Sequence, residues 1–142
     1  MREVLAQARF FAGLTPAQLE AVAAIARVAR FAQDRRIYNL GDNTDNFFVL
    51  AEGMVRFTLG LGKRETSAGE IMRRGDVFGW AALIESAQKR IATAFCLTAC
   101  EVIALDGREL IALMERDHDI GYAIMKRLSV LVTSELISFA AG

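Results

Sequence analysis

A glycine-bearing turn that runs into a short helix, with an arginine returning on the next strand, is one way to hold an anion. Here the turn is Gly75-Asp76-Val77-Phe78-Gly79-Trp80-Ala81-Ala82-Leu83, and the arginine is Arg90, followed by Ile91-Ala92-Thr93-Ala94. Backbone N–H groups at such a turn point at an anion, and a guanidinium coming back beside them forks onto the same oxygens. That chemistry is phosphate or carboxylate binding, without bond making. On residue types alone, an ordinary barrel turn plus a surface arginine, ion-paired with Glu85 or another acid, also fits.

The remaining reactive side chains do not assemble a catalyst. The single histidine, His118, sits in an Asp-His-Asp turn and reads as solvated, and one imidazole is too few for a metal-dependent jelly-roll enzyme. Cys96 and Cys100 lie four apart in an apolar run with no further cysteine for a metal knuckle or disulfide framework, so they read as small buried hydrophobes. Glu52, Asp76 and Glu85 read as turn and rim charges. With no nucleophile–base arrangement, paired carboxylates or metal cluster, the expectation is a binding protein, not an enzyme, with no metal and no cofactor. The rival, an anion-binding jelly-roll enzyme, would need ligating or acid–base residues facing the barrel interior, and the interior runs are Phe, Val, Leu, Ala and Cys.

The whole chain says which partners to expect. It has 142 residues, 54% of them hydrophobic, with one proline, which is the size of one domain with a sizeable core. Seventeen basic and seventeen acidic residues cancel, so no field recruits a phosphate backbone or an anionic membrane surface. The N-terminus carries Glu3 and Arg9 where a secretory signal needs an apolar stretch, and the apolar run 91–100 is too short to span a bilayer. The expectation is a cytoplasmic protein without direct nucleic-acid or membrane contact.

The elements that must position Gly79 and Arg90 follow from periodicity. Thr15-Pro16-Ala17-Gln18 predicts a capped helix start, and Leu19, Val22, Ile25, Ala26 and Ala29 continue it to about Ala29, after a shorter helix from Arg2 to about Phe10. Residues 1–30 thus form a helical opening. From 31 to 105 short apolar or alternating runs are separated by Gly41-Asp42-Asn43, Glu52-Gly53, Gly60 to Gly62, Gly69, Gly75-Asp76 and Asp106-Gly107. This predicts one antiparallel roll: a mainly β jelly-roll barrel with N-terminal helices and, over 108–139, two C-terminal helices. In the last helix Ile120, Ile124, Leu128, Leu131 and Val132 form one stripe, and Ala123, Val130 and Ile137 step by seven on a second. Two apolar faces predict packing on the barrel with one and on a partner, most simply a second copy, with the other. The dimer face is assigned to Ala123, Ile124, Val130, Leu131 and Ile137.

The order of these features resembles the cyclic-nucleotide-binding domain family, as in the sensor domain of catabolite activator protein and the regulatory subunits of protein kinase A. The residues that carry the resemblance are Phe10-Phe11-Ala12-Gly13-Leu14-Thr15-Pro16-Ala17-Gln18-Leu19, Tyr38-Asn39-Leu40-Gly41-Asp42, Phe48-Val49-Leu50-Ala51-Glu52-Gly53 and Gly75-Asp76-Val77-Phe78-Gly79. The resemblance spans nearly the whole chain and implies that 78–94 is a phosphate-binding cassette. It implies that Arg90 pairs with a cyclic phosphate, Gly79 permits close backbone approach, and Ala81, Ala82 and Leu83 offer N–H donors. Phe78, Trp80, Ile91 and Ala92 complete the implied site, and cyclic AMP or cyclic GMP is the implied ligand.

Two positions depart from the family pattern. Trp80 stands where the nucleotide binders carry a glutamate that accepts from the ribose 2′-hydroxyl, and indole has no acceptor. Ile91 follows the arginine where a small or hydroxyl residue is usual, so it cannot donate to phosphate and is expected to crowd the strand. The pocket then binds cyclic nucleotide weakly, binds another anionic or apolar small molecule against Trp80, or stays empty in a domain that serves protein–protein contact. In the family the last helices transmit binding to an attached effector. Here Gly142 follows the helix closely, so no DNA-binding helix pair is expected and the reading is a stand-alone sensor.

Overall fold

Thr15 sets the first long helix. Its hydroxyl accepts from the Gln18 N–H at 3.2 Å, the Gln18 side chain accepts from the Thr15 N–H at 2.9 Å, and Pro16 occupies the first helical position. This capping box opens α2 (Pro16–Ala24), after α1 (Arg2–Gln7) and a 3-10 turn at Arg9–Phe11. Thr15→Ala is expected to lower the unfolding free energy in urea by about 1 kcal/mol, the usual worth of a lost N-cap. The computed structural model describes residues 1–84 and 89–141, so Glu85, one of the partners considered for Arg90, lies outside the described residues.

α2 ends at Ala24, short of the expected Ala29. Ala26–Phe31 instead forms β1, paired antiparallel with β8 (Cys100–Asp106) from Ala26 opposite Leu105 to Phe31 opposite Cys100. Alanines at 26 and 29 satisfy either periodicity, whereas Val28 and Phe31 favour extended backbone, and the distant ladder decides. Of the expected helix face only Val22 is fully buried.

The other strands are β2 (Arg36–Tyr38), β3 (Asn46–Glu52), β4 (Val55–Leu59), β5 (Thr66–Met72), β6 (Val77–Phe78) and β7 (Thr93–Cys96). They form two antiparallel four-stranded sheets, β1-β8-β3-β6 and β2-β7-β4-β5, the mainly β roll that the glycine punctuation predicts. β3 and β8 are apolar on both faces because each divides its side chains between two cores. Phe47, Val49, Ile103 and Leu105 face the helices, while Phe48, Leu50, Val102 and Ala104 face the barrel interior with Phe57 and Phe78. Cys96 and Cys100 are buried free thiols in the second core, and burial, then the hydrogen bond with Cys100, pushes the Cys96 thiol up to about 12. A thiol so hard to ionise packs as a hydrophobe.

Asp106 caps α3 (Gly107–Arg116), accepting from the N–H groups of Arg108 at 2.9 Å and Glu109 at 3.1 Å; Asp117 accepts in the same way from Asp119 and Ile120 at the start of α4 (His118–Ala141). His118 is exposed there. Ile120, Ile124 and Leu128 bury α4 against the helix-side core. The structure therefore removes Ile124 from the expected dimer face: it is fully buried in its own chain, and Leu131 and Ala123 are half-buried. A seven-residue step fixes relative angle on a helix, not which angle meets the barrel. Val130 and Ile137 do face outward, at 63% and 64% exposure, and Tyr122 and Leu136, which the stripe omitted, join them as exposed. No helix among the described residues is long and apolar enough to cross a membrane.

Candidate functional site

The site begins at Gly79, which takes φ +78°, a left-handed conformation that side-chain-bearing residues adopt at a cost. A Cβ there would lie 3.0 Å from Arg90 Nη1, 3.0 Å from Phe48 Cδ2 and 3.1 Å from the Asn46 carbonyl oxygen, so the missing side chain is also what lets the arginine approach. The chain then makes a 3-10 turn at Trp80–Leu83. That turn is fixed from behind by α3, since a Cβ on Gly107 would sit 2.4 Å from the Ala82 oxygen.

Arg90 is held by its backbone and its ring neighbours. Its N–H donates to Asp42 O at 2.8 Å and its carbonyl accepts from Gly41 N–H at 2.9 Å, which ties it to the turn after β2. Nη2 donates to the Asn46 carbonyl at 2.5 Å, and the guanidinium carbon lies 4.2 Å from the centroid of the Tyr38 ring and 5.9 Å from that of Phe48. The residue is only 5% exposed, yet Nε and Nη1 have no hydrogen-bond partner among the described residues, and no carboxylate among them reaches it as an ion pair. Burial pulls its pKa below the ordinary arginine value, against the opposing influence of Tyr38, Asp45 and Asp42. Guanidinium stays charged regardless, so two of its nitrogens are desolvated donors without acceptors.

Gly79, Trp80, Ala81, Arg90, Ile91 and Ala92 come together around one cavity. Phe78, Ala82 and Leu83 do not. Phe78 is stacked on Phe48 at 5.2 Å inside the barrel, and Ala82 and Leu83 are buried in the helix-side core. Ile91, expected to crowd its strand, is 46% exposed ahead of β7. The cavity is completed by residues that sequence reasoning missed: Tyr38 and Phe57 from the second sheet, and Glu135 and Phe139 from α4. Tyr38 stands in a stretch that carries the family resemblance but has no role assigned from the sequence, and no local signal links a residue of α4 to Trp80.

α4 closes this cavity. Trp80 Nε1–H donates to Glu135 Oε2, and Phe139 packs on Phe57 with centroids 5.9 Å apart. Burial pushes the Glu135 carboxyl up to about 7, the Trp80 hydrogen bond opposing. Between Arg90 and α4 a space of about 20 Å³ remains, room for roughly one water and far below the ~300–1,000 Å³ of ligand pockets, while on its other side Arg90 borders an open hollow of about 360 Å³ walled by Tyr38, Asp42, Asp45 and Asn46, whose two carboxylates disfavour an anion. A groove of about 700 Å³ lies beyond it, between α4 and strands β4 and β5, and Phe57, Glu135 and Phe139 line both spaces.

The family model of the cyclic nucleotide-binding domain matches residues 28–117. A solved protein of Geobacter metallireducens named for cyclic nucleotide binding superposes with a TM-score of 0.80 at 25% identity, over 94% of this chain and 96% of its own. The catabolite activator protein of Thermus thermophilus superposes at 0.75 with 23% identity, over 87% of this chain and 58% of its own. The regulatory domain of Toxoplasma gondii protein kinase A, solved with cyclic AMP, gives 0.75 at 24%, over 88% and 47%. No curated protein matches the chain.

Proposed function

The chain belongs to the cyclic nucleotide-binding domain family, and from that premise we propose that it is a regulatory sensor that binds a cyclic nucleotide or a related anion on Arg90. One observation carries the reading: a buried guanidinium stacked on Tyr38 with Nε and Nη1 lacking partners. A scaffold gains nothing from such a group, because desolvating a charge without pairing it costs several kcal/mol. An anionic oxygen pair would satisfy both nitrogens, and the cavity lined by Gly79, Trp80 and Ala81 adjoins them. Trp80 cannot replace the ribose-reading glutamate, which lowers the expected affinity by roughly ten- to a hundredfold relative to members that keep it.

The output follows from the closed cavity. A nucleotide does not fit in the about 20 Å³ between Arg90, Gly79 and Trp80, so binding on that side requires the end of α4 to withdraw. The ligand then shifts the population between two packings of α4 by its differential affinity for them. Thermal unfolding tests the first step. Cyclic AMP or cyclic GMP at a hundred times its dissociation constant raises stability by about 2.7 kcal/mol, whereas 5′-AMP at the same concentration is expected to give a smaller shift. Absence of any shift with either cyclic nucleotide at millimolar concentration contradicts the proposal.

The exposed side chains of α4 favour a second copy as the partner that reads this shift. Tyr122, Val130, Leu136 and Ile137 are at least half exposed on one helix. Sedimentation at micromolar concentration is expected to show a dimer, and the double change Val130→Glu, Ile137→Glu is expected to leave a folded monomer, since apolar burial is replaced by unpaired charge. A wild-type monomer at that concentration would assign the face to a different protein.

A further inference from the structure

Glu135 is drawn into the barrel mouth although nothing in anion binding by Arg90 calls for a second, acidic group there. Its Oε2 accepts the Trp80 indole N–H, and one helical turn later Phe139 fills the space that a side chain on Gly69 would need, 2.7 Å from where that Cβ would be. Because Phe57, Glu135 and Phe139 wall both the 20 Å³ cavity and the 700 Å³ groove, withdrawing the two α4 side chains joins them into a space of ligand size. We propose that residues 135–139 of α4 are a tethered occupant of the Arg90 site, and that protonation of Glu135 holds the site closed while its loss opens it. This rests on the reading of Arg90 as the ligand-binding group.

The direction follows from burial. Seated beside Trp80 the carboxyl titrates near 7, and released into water it returns to the ordinary 4.5. The closed form therefore binds the proton more tightly. Its advantage is full below about 4.5 and falls as pH rises through about 7, roughly tenfold per pH unit inside that window. Other charged and titratable groups face this segment. Tyr38, from β2, is pushed far up by burial and stays neutral, and Arg90 stays charged without pairing to Glu135 among the described residues. Glu70, from β5, faces the groove, and Arg9, Asp76 and Arg127 surround the adjoining hollow.

Trp80 is the only tryptophan, so its emission reports the contact directly. In the full chain between pH 5 and 8.5, with the fold checked by circular dichroism, emission is expected to shift to the red with a midpoint below about 7 as the indole becomes wet. Glu135→Gln, neutral and nearly isosteric, is expected to remove the transition, and Phe139→Ala to leave emission red-shifted throughout. A transition that survives in Glu135→Gln, or a flat wild-type curve, overturns the proposal. In parallel, cyclic AMP is expected to bind wild type more tightly at pH 8 than at pH 6, by up to about tenfold, with no such difference in Glu135→Gln. A fluorescence transition without nucleotide binding at either pH would keep the latch and reject the nucleotide reading. Nucleotide binding that ignores pH, with a flat fluorescence curve, would do the reverse.

Discussion

Arg90→Leu is expected to weaken cyclic AMP binding by roughly ten- to a hundredfold while leaving the unfolding free energy in urea within about 1 kcal/mol of wild type. The two halves of that result come from different atoms. Nε and Nη1 have no partner among the described residues, so deleting them removes donors that only a ligand would satisfy. Nη2 does have one, the Asn46 carbonyl at 2.5 Å, and its loss leaves an acceptor unpaired, a cost of about 1 kcal/mol. Against that cost stands relief from burying a charge, and leucine retains contact with the Tyr38 and Phe48 rings that now flank the guanidinium. A scaffold arginine would behave oppositely, with stability falling by several kcal/mol and no ligand effect to measure. Urea unfolding of the variant thus separates a site from a support.

Gly79→Ala is expected to lower the unfolding free energy by about 2–5 kcal/mol and to abolish binding in whatever protein remains folded. A left-handed φ of +78° costs an alanine about 1–2 kcal/mol by itself. The new methyl also meets Arg90 Nη1, Phe48 Cδ2 and the Asn46 oxygen at 3.0–3.1 Å, and crowding in a packed region adds about 1–3 kcal/mol. Gly41→Ala is the internal control. Its φ is +89° but nothing lies within 4 Å of the added Cβ, so only the strain should appear. The difference between the two variants measures the close approach of turn and arginine, and equal losses would mean that Gly79 serves backbone conformation alone.

How far the chain announced this arrangement depended on the range of the interaction. The Thr15–Gln18 cap was legible because all its atoms lie within four residues, and the double burial of β3 and β8 was legible as unbroken apolar runs. The start of β1, Ala26 to Ala29, was misread as helix because its alanines fit both periods and its ladder partners lie more than seventy residues away in β8. Gly79 and Arg90 were singled out because a turn and a returning arginine form a local pattern, which the family resemblance then read as an anion site. Tyr38 and Phe48 were not, since an aromatic on a strand looks the same whether it packs on another ring or carries a guanidinium. Glu135 and Phe139 lay furthest from view. Their spacing marks them as members of a helix, but only the tertiary fold puts that helix against Trp80. The same blindness to absolute angle placed Ile124 on an outer face when it belongs to the core.

Titration calorimetry of the full chain with cyclic AMP and cyclic GMP, at pH 8 where the Glu135 contact is weakest, tests the central claim most directly. Saturable heat for at least one nucleotide at one site per chain, weakened at least about tenfold in Arg90→Leu, is the predicted result. No heat from either nucleotide at millimolar concentration, with the protein folded, would contradict a cyclic-nucleotide sensor and leave Arg90 to another anion or to none.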